Sequence, residues 1–212
     1  MIGLTGGIAS GKSTVTRYLA FKGAYIADAD AISREVMDLP EVLRSVRLAF
    51  GPEVFSEDGS LDRRALARRA FADEEGAKLL DSITHPVIAR ELIARVREAE
   101  ASREYSLVFV DAPLLIESGF YTLCDRIWLV TADAETRIAR VMLRDGLTRA
   151  EAEMRIARQM PDEEKRRYAS TVIENDGGLA ELLSRVEEAY AEELMLSRDP
   201  DYDDIRTDYD EQ

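Results

Sequence analysis

Five short apolar runs, at residues 1–5, 24–28, 105–111, 126–131 and 170–174, are separated by stretches in which apolar residues recur every three or four positions. Runs of that length read as buried strands, and the longer stretches as amphipathic helices. The helix after the first strand covers 14–22, with Val15, Tyr18 and Leu19 on one face and Gly23 as its stop. A helix from 133 to 145 follows the fourth strand and ends at Gly146. Thr148 and Glu151 form a capping-box pattern opening a helix to about Met160, where Pro161 breaks it. The last helix carries Leu179, Leu182, Leu183, Val186 and Tyr190. Strands alternating with helices predict an α/β fold around a parallel sheet.

Residues 31–104 interrupt the alternation. They show helical periodicity through Leu61, Ala65, Leu66 and Ala70, a turn at Ser56-Glu57-Asp58-Gly59, and no strand. Pro86 suits the first turn of a helix over 86–100. An excursion this long exceeds a simple crossover and predicts a small helical lobe that receives an acceptor substrate. No internal repeat and no domain linker divides the chain. One domain over 1–197 is expected, with a core of 1–30, 105–147 and 168–197, the lobe at 31–104, a lid at 148–167, and an acidic tail at 198–212.

Between the first strand and first helix stands Gly6-Gly7-Ile8-Ala9-Ser10-Gly11-Lys12-Ser13, which fits G-x-x-x-x-G-K-[ST]. Glycines let successive backbone N–H groups turn inward on a polyphosphate. Lys12 adds a point charge, Ser13 offers a hydroxyl to Mg²⁺, and the helix start aims its positive end at the phosphates. A strand before the motif and a helix after it are the context the motif requires.

Composition narrows the class. With 212 residues, 46% hydrophobic and 33% charged, the chain can bury one substantial core. Its net charge of −14 argues against nucleic acid and anionic membranes as partners, so a phosphate ligand must be held by local positive charge. The single cysteine, Cys124, suits a reducing compartment. No stretch reaches the ~20 apolar residues of a membrane span, and no signal-like segment precedes the loop. A cytoplasmic enzyme is expected.

Candidate chemistry clusters at predicted strand ends, where open α/β sheets bind ligands. Asp28 and Asp30 close the second strand; Asp30 either meets a substrate hydroxyl or caps the following helix. Asp111 ends the third strand and either orients a Mg²⁺ shell or caps a loop. Between Arg137 and Arg167 lie Arg140, Arg144, Arg149, Arg155, Arg158, Lys165 and Arg166, the densest positive cluster in the chain. It reads as a lid closing over transferring phosphates, or as a surface hairpin paired with Glu151, Glu153, Glu163 and Glu164. Asn175, the only asparagine, holds a turn or reads a base edge. His85, the only histidine, is a buried hydrogen-bonded residue or a substrate contact.

Together these residues resemble the dephospho-coenzyme A kinases over nearly the whole chain. The marks are Leu4-Thr5-Gly6-Gly7-Ile8 before Ser10-Gly11-Lys12-Ser13, then Asp28-Ala29-Asp30, Asp58-Gly59-Ser60-Leu61 and His85-Pro86. Pro113-Leu114-Leu115 with Glu117, Arg140 with Arg144-Asp145, Gln159, and Ile173-Glu174-Asn175 with Gly177 complete them. The resemblance implies a P-loop kinase fold: a five-stranded parallel sheet flanked by helices, with an inserted CoA-binding lobe and a helical lid. It implies ATP-dependent phosphorylation of the ribose 3′-hydroxyl of dephospho-CoA, the last step of coenzyme A biosynthesis, with ATP and Mg²⁺ as cofactors. Asp30 is then the catalytic base, with Lys12 and Arg140 acting on the transferring phosphoryl group. Thr5, Gly6, Gly7, Ile8, Ala9, Ser10, Gly11, Lys12, Ser13 and Thr14 hold the nucleotide with Arg144 and Asn175. Asp30, His85, Pro113 and Leu114 meet the acceptor, and Ser13 and Asp111 the metal. A monomer or weak homo-oligomer is expected. Ala9 stands where the family usually has glycine, a change tolerated if its φ stays negative. Glu174, Pro161 and Asp162 also depart from the family's pattern.

Two other classes are weaker. A GTPase-like switch needs N-K-x-D, absent here because Asp176 follows the only asparagine; Asp73-Glu74-Glu75-Gly76 matches D-x-x-G only in letters. A kinase of the same architecture acting on a nucleoside, nucleotide or shikimate-like acceptor lacks a reason for His85-Pro86.

Overall fold

The computed structural model describes residues 1–197, so the acidic tail expected at 198–212 lies outside the described residues. The chain forms two compact units, one of Met1–Ile26 with the chain from Ala99 onward, the other of Ala27–Glu98. The elements run β1 (Ile2–Gly6), α1 (Lys12–Phe21), β2 (Tyr25–Asp28), α2 (Ala29–Val36), α3 (Pro40–Phe50), α4 (Arg63–Ala70) and α5 (Glu74–Ser102). Then come β3 (Val108–Asp111), β4 (Arg126–Thr131), α6 (Ala134–Asp145), α7 (Arg149–Ile156), α8 (Asp162–Lys165), β5 (Thr171–Glu174) and α9 (Leu179–Leu196).

All five apolar runs are strands of one sheet, ordered β2-β3-β1-β4-β5. β1 is buried along its whole length and pairs in parallel with β3 on one side and β4 on the other, Gly3 lying opposite both Val110 and Ile127. β5 extends the sheet in parallel from β4, with Val172 opposite Leu129. A central strand covered on both faces must be apolar throughout, which is why these runs lack strand-like alternation. The chain leaves β1 at its carboxyl end, the edge at which open parallel sheets bind ligands.

One face packs against α1 and α9. Leu4, Phe109, Trp128, Val130 and Ile173 from the strands meet Val15 and Leu19 of α1 and Leu182, Val186 and Tyr190 of α9. Phe109 and Trp128 meet edge to face at 5.0 Å, and burial of a Phe-sized side chain contributes about 1.5–3 kcal/mol. The Trp128 indole N–H donates to Glu193 at 3.1 Å, satisfying the one polar atom the ring takes into the core. Beside this core, Ile138, Val141 and Ala152 of α6 and α7 form a smaller cluster that Ile8 and Ala9 pack against.

Helix ends follow their signals. Asp133 accepts from Thr136 N at 2.8 Å and caps α6, Gly146 ends it in the left-handed conformation, and Thr148 with Glu151 forms the capping box of α7. The hairpin helix is shorter than expected: α7 stops at Ile156, and turns carry the chain through Gln159 to Pro161. In the second unit Pro86 does not open a helix over 86–100; it lies inside α5. The missing N–H orphans the Ser82 carbonyl four residues earlier, and both residues are exposed, so water can take that acceptor. Among the described residues no helix is long and apolar enough to cross a membrane.

Candidate active site

The loop between β1 and α1 packs closely against Asn175. Gly11 has φ of 101°, and a Cβ there would strike the amide of Asn175. That amide donates to the Ser10 carbonyl at 2.7 Å, so Asn175 fastens the loop to the end of β5. Ser10 N in turn bonds Gly7 O at 3.1 Å, closing the bend. Ser10 Oγ is buried without a hydrogen-bond partner among the described residues. α1 starts at Lys12, and Thr14 N already bonds Gly11 O at 2.9 Å, so the N–H groups of Lys12 and Ser13 are the ones a helix start offers to an anion. Ala9 has φ of 61°, so the condition of a negative φ, under which its methyl group would be tolerated without strain, is not met. It stands third in the turn closed by the bond from Ser10 N to Gly7 O, and takes the left-handed region there.

Lys12 forms an ion pair with Asp111 at the tip of β3, and Thr16 Oγ1 donates to the same carboxylate at 2.8 Å. The strand that places Asp111 therefore also aims the lysine. Thr5 is fully buried and donates to the Pro113 carbonyl at 3.1 Å. Lys165 of α8, also fully buried, reaches Pro113 O at 3.3 Å and pairs with Glu117 at 2.7 Å. Leu114, next to Pro113, is exposed. Ser13 is exposed at the start of α1.

Most of the arginine cluster is paired with carboxylates. Arg149 bridges Glu135 and Glu153, and Arg144 and Arg155 share Asp145. The hydrogen bond from Arg144 holds the Asp145 carboxyl below its usual range, and that carboxylate raises the guanidinium in return. Two arginines reach the phosphate loop, Arg137 while also paired with Asp162. Arg140 donates to Ala9 O at 3.3 Å and Asn175 O at 2.9 Å, spanning the loop and the end of β5. Arg137 is buried and donates to Ile8 O at 3.0 Å.

The second unit carries the remaining candidates. Asp28, not Asp30, caps α2: its carboxylate accepts from Ala31 N at 2.9 Å. Asp30 lies in the first turn of that helix, exposed, with no side-chain partner among the described residues. His85 is partly exposed and lies 3.4 Å from Asp81 one turn earlier, so it is not the fully buried residue of the simpler expectation.

The first unit thus brings together Thr5, Gly6 to Thr14, Asp111, Pro113, Arg140 and Asn175, while Arg144 turns to Asp145. Arg137, Thr16 and Lys165 were not singled out by the sequence. Arg137 had one usable signal, its position three residues before Arg140 on the same helix face.

The chain's sequence matches the model of a family described as dephospho-CoA kinase over residues 1–181. It belongs to the dephospho-CoA kinase family. A dephospho-CoA kinase of Geobacter sulfurreducens is 50% identical over 193 residues, covering 90% of this chain and 97% of that one. The fold agrees with a solved dephospho-CoA kinase from Campylobacter jejuni, with a TM-score of 0.69 at 26% identity over 90% of this chain and 95% of the other. A shikimate kinase from Acinetobacter baumannii shares the fold more distantly, with a TM-score of 0.51 at 19% identity over 94% of each chain.

Proposed function

We propose that this chain transfers the γ-phosphoryl group of ATP to the ribose 3′-hydroxyl of dephospho-CoA, giving coenzyme A and ADP. Family membership supports the reaction, and one observation supports the site: Lys12, at the head of α1 in a loop of converging amides, is aimed by the strand-end carboxylate of Asp111. In the transfer the 3′-oxygen bonds to the γ-phosphorus, the bond from that phosphorus to the β–γ bridging oxygen breaks, and the hydroxyl proton passes to a carboxylate. Asp30 is that base by its match to the family's Asp-Ala-Asp element. Phosphoryl transfer depends mainly on positioning and charge neutralisation, which suits a site of amides and cations. The loop with Thr14 cradles the nucleotide while the buried Thr5 ties the strand before it to Pro113, Lys12 and Arg140 meet the charge that moves to the bridging oxygen, and Arg144 and Asn175 flank the nucleotide. Pro113, Leu114 and His85 are assigned to the acceptor.

The residues fit Mg²⁺ as a shared ligand with ATP. Among the described residues no cluster of three or more His, Cys, Asp or Glu side chains makes a metal cage, and Mg²⁺ commonly binds through one or two side chains, waters and substrate phosphates. Ser13 Oγ and Asp111 would hold it. Bound there, the ion supplies charge neutralisation of the β- and γ-phosphates. The acceptor lobe at 31–104, the lid at 148–167, a cytoplasmic location and a monomeric or weakly associating state complete the reading.

An ADP-release assay with Mg²⁺-ATP and dephospho-CoA, adenosine, AMP and shikimate in parallel tests it, product mass being checked for one added phosphoryl group. Turnover confined to dephospho-CoA is expected; turnover of another acceptor instead would overturn the assignment. Asp30→Asn should lower kcat by about 10²–10⁴ and leave the ATP Kd within about twofold, since only proton removal is lost. Near-normal kcat in that variant would remove Asp30 from the role.

A further inference from the structure

We propose that Arg137 is a positioning residue for the phosphate loop, and that Asp162 orients it from beyond the hairpin. Arg137 leaves the first turn of α6 and is almost wholly covered, its side chain 8% exposed. A guanidinium so buried must be paired and its donors satisfied, since desolvation of the charge is otherwise uncompensated. Its Nε donates to Ile8 O at 3.0 Å, Nη1 lies 3.1 Å from Asp162 Oδ2, and Nη2 donates to Gln159 Oε1 at 3.4 Å. Gln159 Oε1 also accepts from Ile8 N at 2.6 Å. Both backbone groups of Ile8 are therefore held by side chains outside the motif, through a closed ring of Arg137, Ile8 and Gln159.

The neighbouring loop positions are shaped by the same group. A Cβ on Gly7 would overlap the Arg137 guanidinium, so any larger residue there would displace the arginine from its bonds to Ile8 and Gln159. Ala9 sits on the other side of Ile8 at φ of 61°, packed with Ile8 against Ile138, Val141 and Ala152. Residues 7–9 thus take their form from α6 and from the segment after α7. Nε and both terminal nitrogens of Arg137 are engaged with protein acceptors, so it acts on a nucleotide through the loop. Asp162 opens α8, and its Oδ1 is buried with no partner among the described residues, so its carboxylate is committed to the arginine on the Oδ2 side.

The inference deepens the ATP site proposed above and rests on that reading. It is tested with Arg137→Gln, Asp162→Asn, their double variant and the control Arg149→Gln, which loses surface ion pairs of the same hairpin without touching the loop. ATP Kd is measured by calorimetry without acceptor, alongside KM for each substrate, kcat and Tm. Loss of a charge-assisted bond predicts roughly tenfold weaker ATP binding and a matching rise in its KM for Arg137→Gln, with KM for dephospho-CoA within about twofold. Asp162→Asn should move ATP binding in the same direction by less, and the double variant should be no worse than Arg137→Gln alone. A folded Arg137→Gln variant with wild-type ATP Kd, or an Arg149→Gln control with the same tenfold loss, overturns the proposal. Should Arg137→Gln fail to fold, Asp162→Asn decides: unchanged ATP Kd overturns it. Wild-type protein that binds ATP but does not turn over dephospho-CoA refutes the substrate assignment and leaves this test of the loop intact.

Discussion

Ala9 carries a cost that the loop imposes. An L-residue in the left-handed region loses about 1–2 kcal/mol to contact between Cβ and the following carbonyl, and Ala9 has φ of 61°. Ala9→Gly relieves that contact but gives the unfolded chain more freedom and removes a methyl from the cluster with Val141. The net expectation is a gain of about 0.5–1 kcal/mol, read from urea denaturation; a loss would mean that methyl packing outweighs the strain. Cys124 illustrates burial acting on chemistry. Desolvation pushes its thiol from 9.0 to about 12, so the folded protein keeps it protonated where the unfolded chain ionises. Its contribution to stability is present below pH 9 and is lost as pH rises toward 12. Alkylation by iodoacetamide at pH 8.5, about the free thiol's usual pKa, should be slow in the folded protein and fast in urea. Equal rates would show an accessible thiolate.

At the scale of elements, α5 runs through a residue that normally stops a helix. Proline in a helix interior costs about 3 kcal/mol relative to alanine, offset by the freedom it removes from the unfolded chain. Pro86→Ala restores an N–H toward Ser82 at an exposed position and should raise stability by about 1–2 kcal/mol. A fall would show that α5 needs the bend proline imposes. The same residue shows why part of the fold was hard to read. Pro86 is locally identical at a helix start and inside a helix, and only neighbours fixed by tertiary packing, such as Ile88, Leu92 and Val96, decide between them. The strands were legible because Leu4, Phe109 and Leu129 must be apolar on both faces, a requirement written into consecutive residues. The loop was legible because its glycines, lysine and serine stand together in the chain. Arg137 was not: its partners are 129 and 22 residues away, and beside seven other arginines of the hairpin region its burial left no local trace. Asn175 was legible as a loop-end residue, but its bond to Ser10 depends on a pairing of β5 with β4 that spacing does not encode.

For the whole molecule, the question is whether a chain of net charge −14 attracts or repels its anionic substrates. The basic hairpin suggests attraction until its pairs are counted in: Arg149 faces Glu135 and Glu153, Arg155 and Arg144 face Asp145, Arg137 faces Asp162, and Lys12 faces Asp111. Each such pair is nearly neutral beyond its own length, so the field felt at a distance is the net acidic one. Among the described residues Arg140 bonds to carbonyl oxygens and to no carboxylate, but a single cation acts over a short range at ordinary ionic strength. Raising salt from about 10 to about 100 mM shortens the screening length from about 30 to about 10 Å, which weakens the long-range repulsion before it touches contacts inside the loop. With Mg²⁺ held constant, kcat/KM for ATP should therefore rise, by about twofold, over that interval and fall only at higher salt, where contacts in the loop are screened as well. Repulsion disfavours the encounter complex whether binding or chemistry limits the rate, so the sign does not depend on which step is slow. A steady decline from the lowest salt would show that Arg140 and the amides of the loop set the field for an approaching nucleotide, and that acidity elsewhere on the chain is invisible to it.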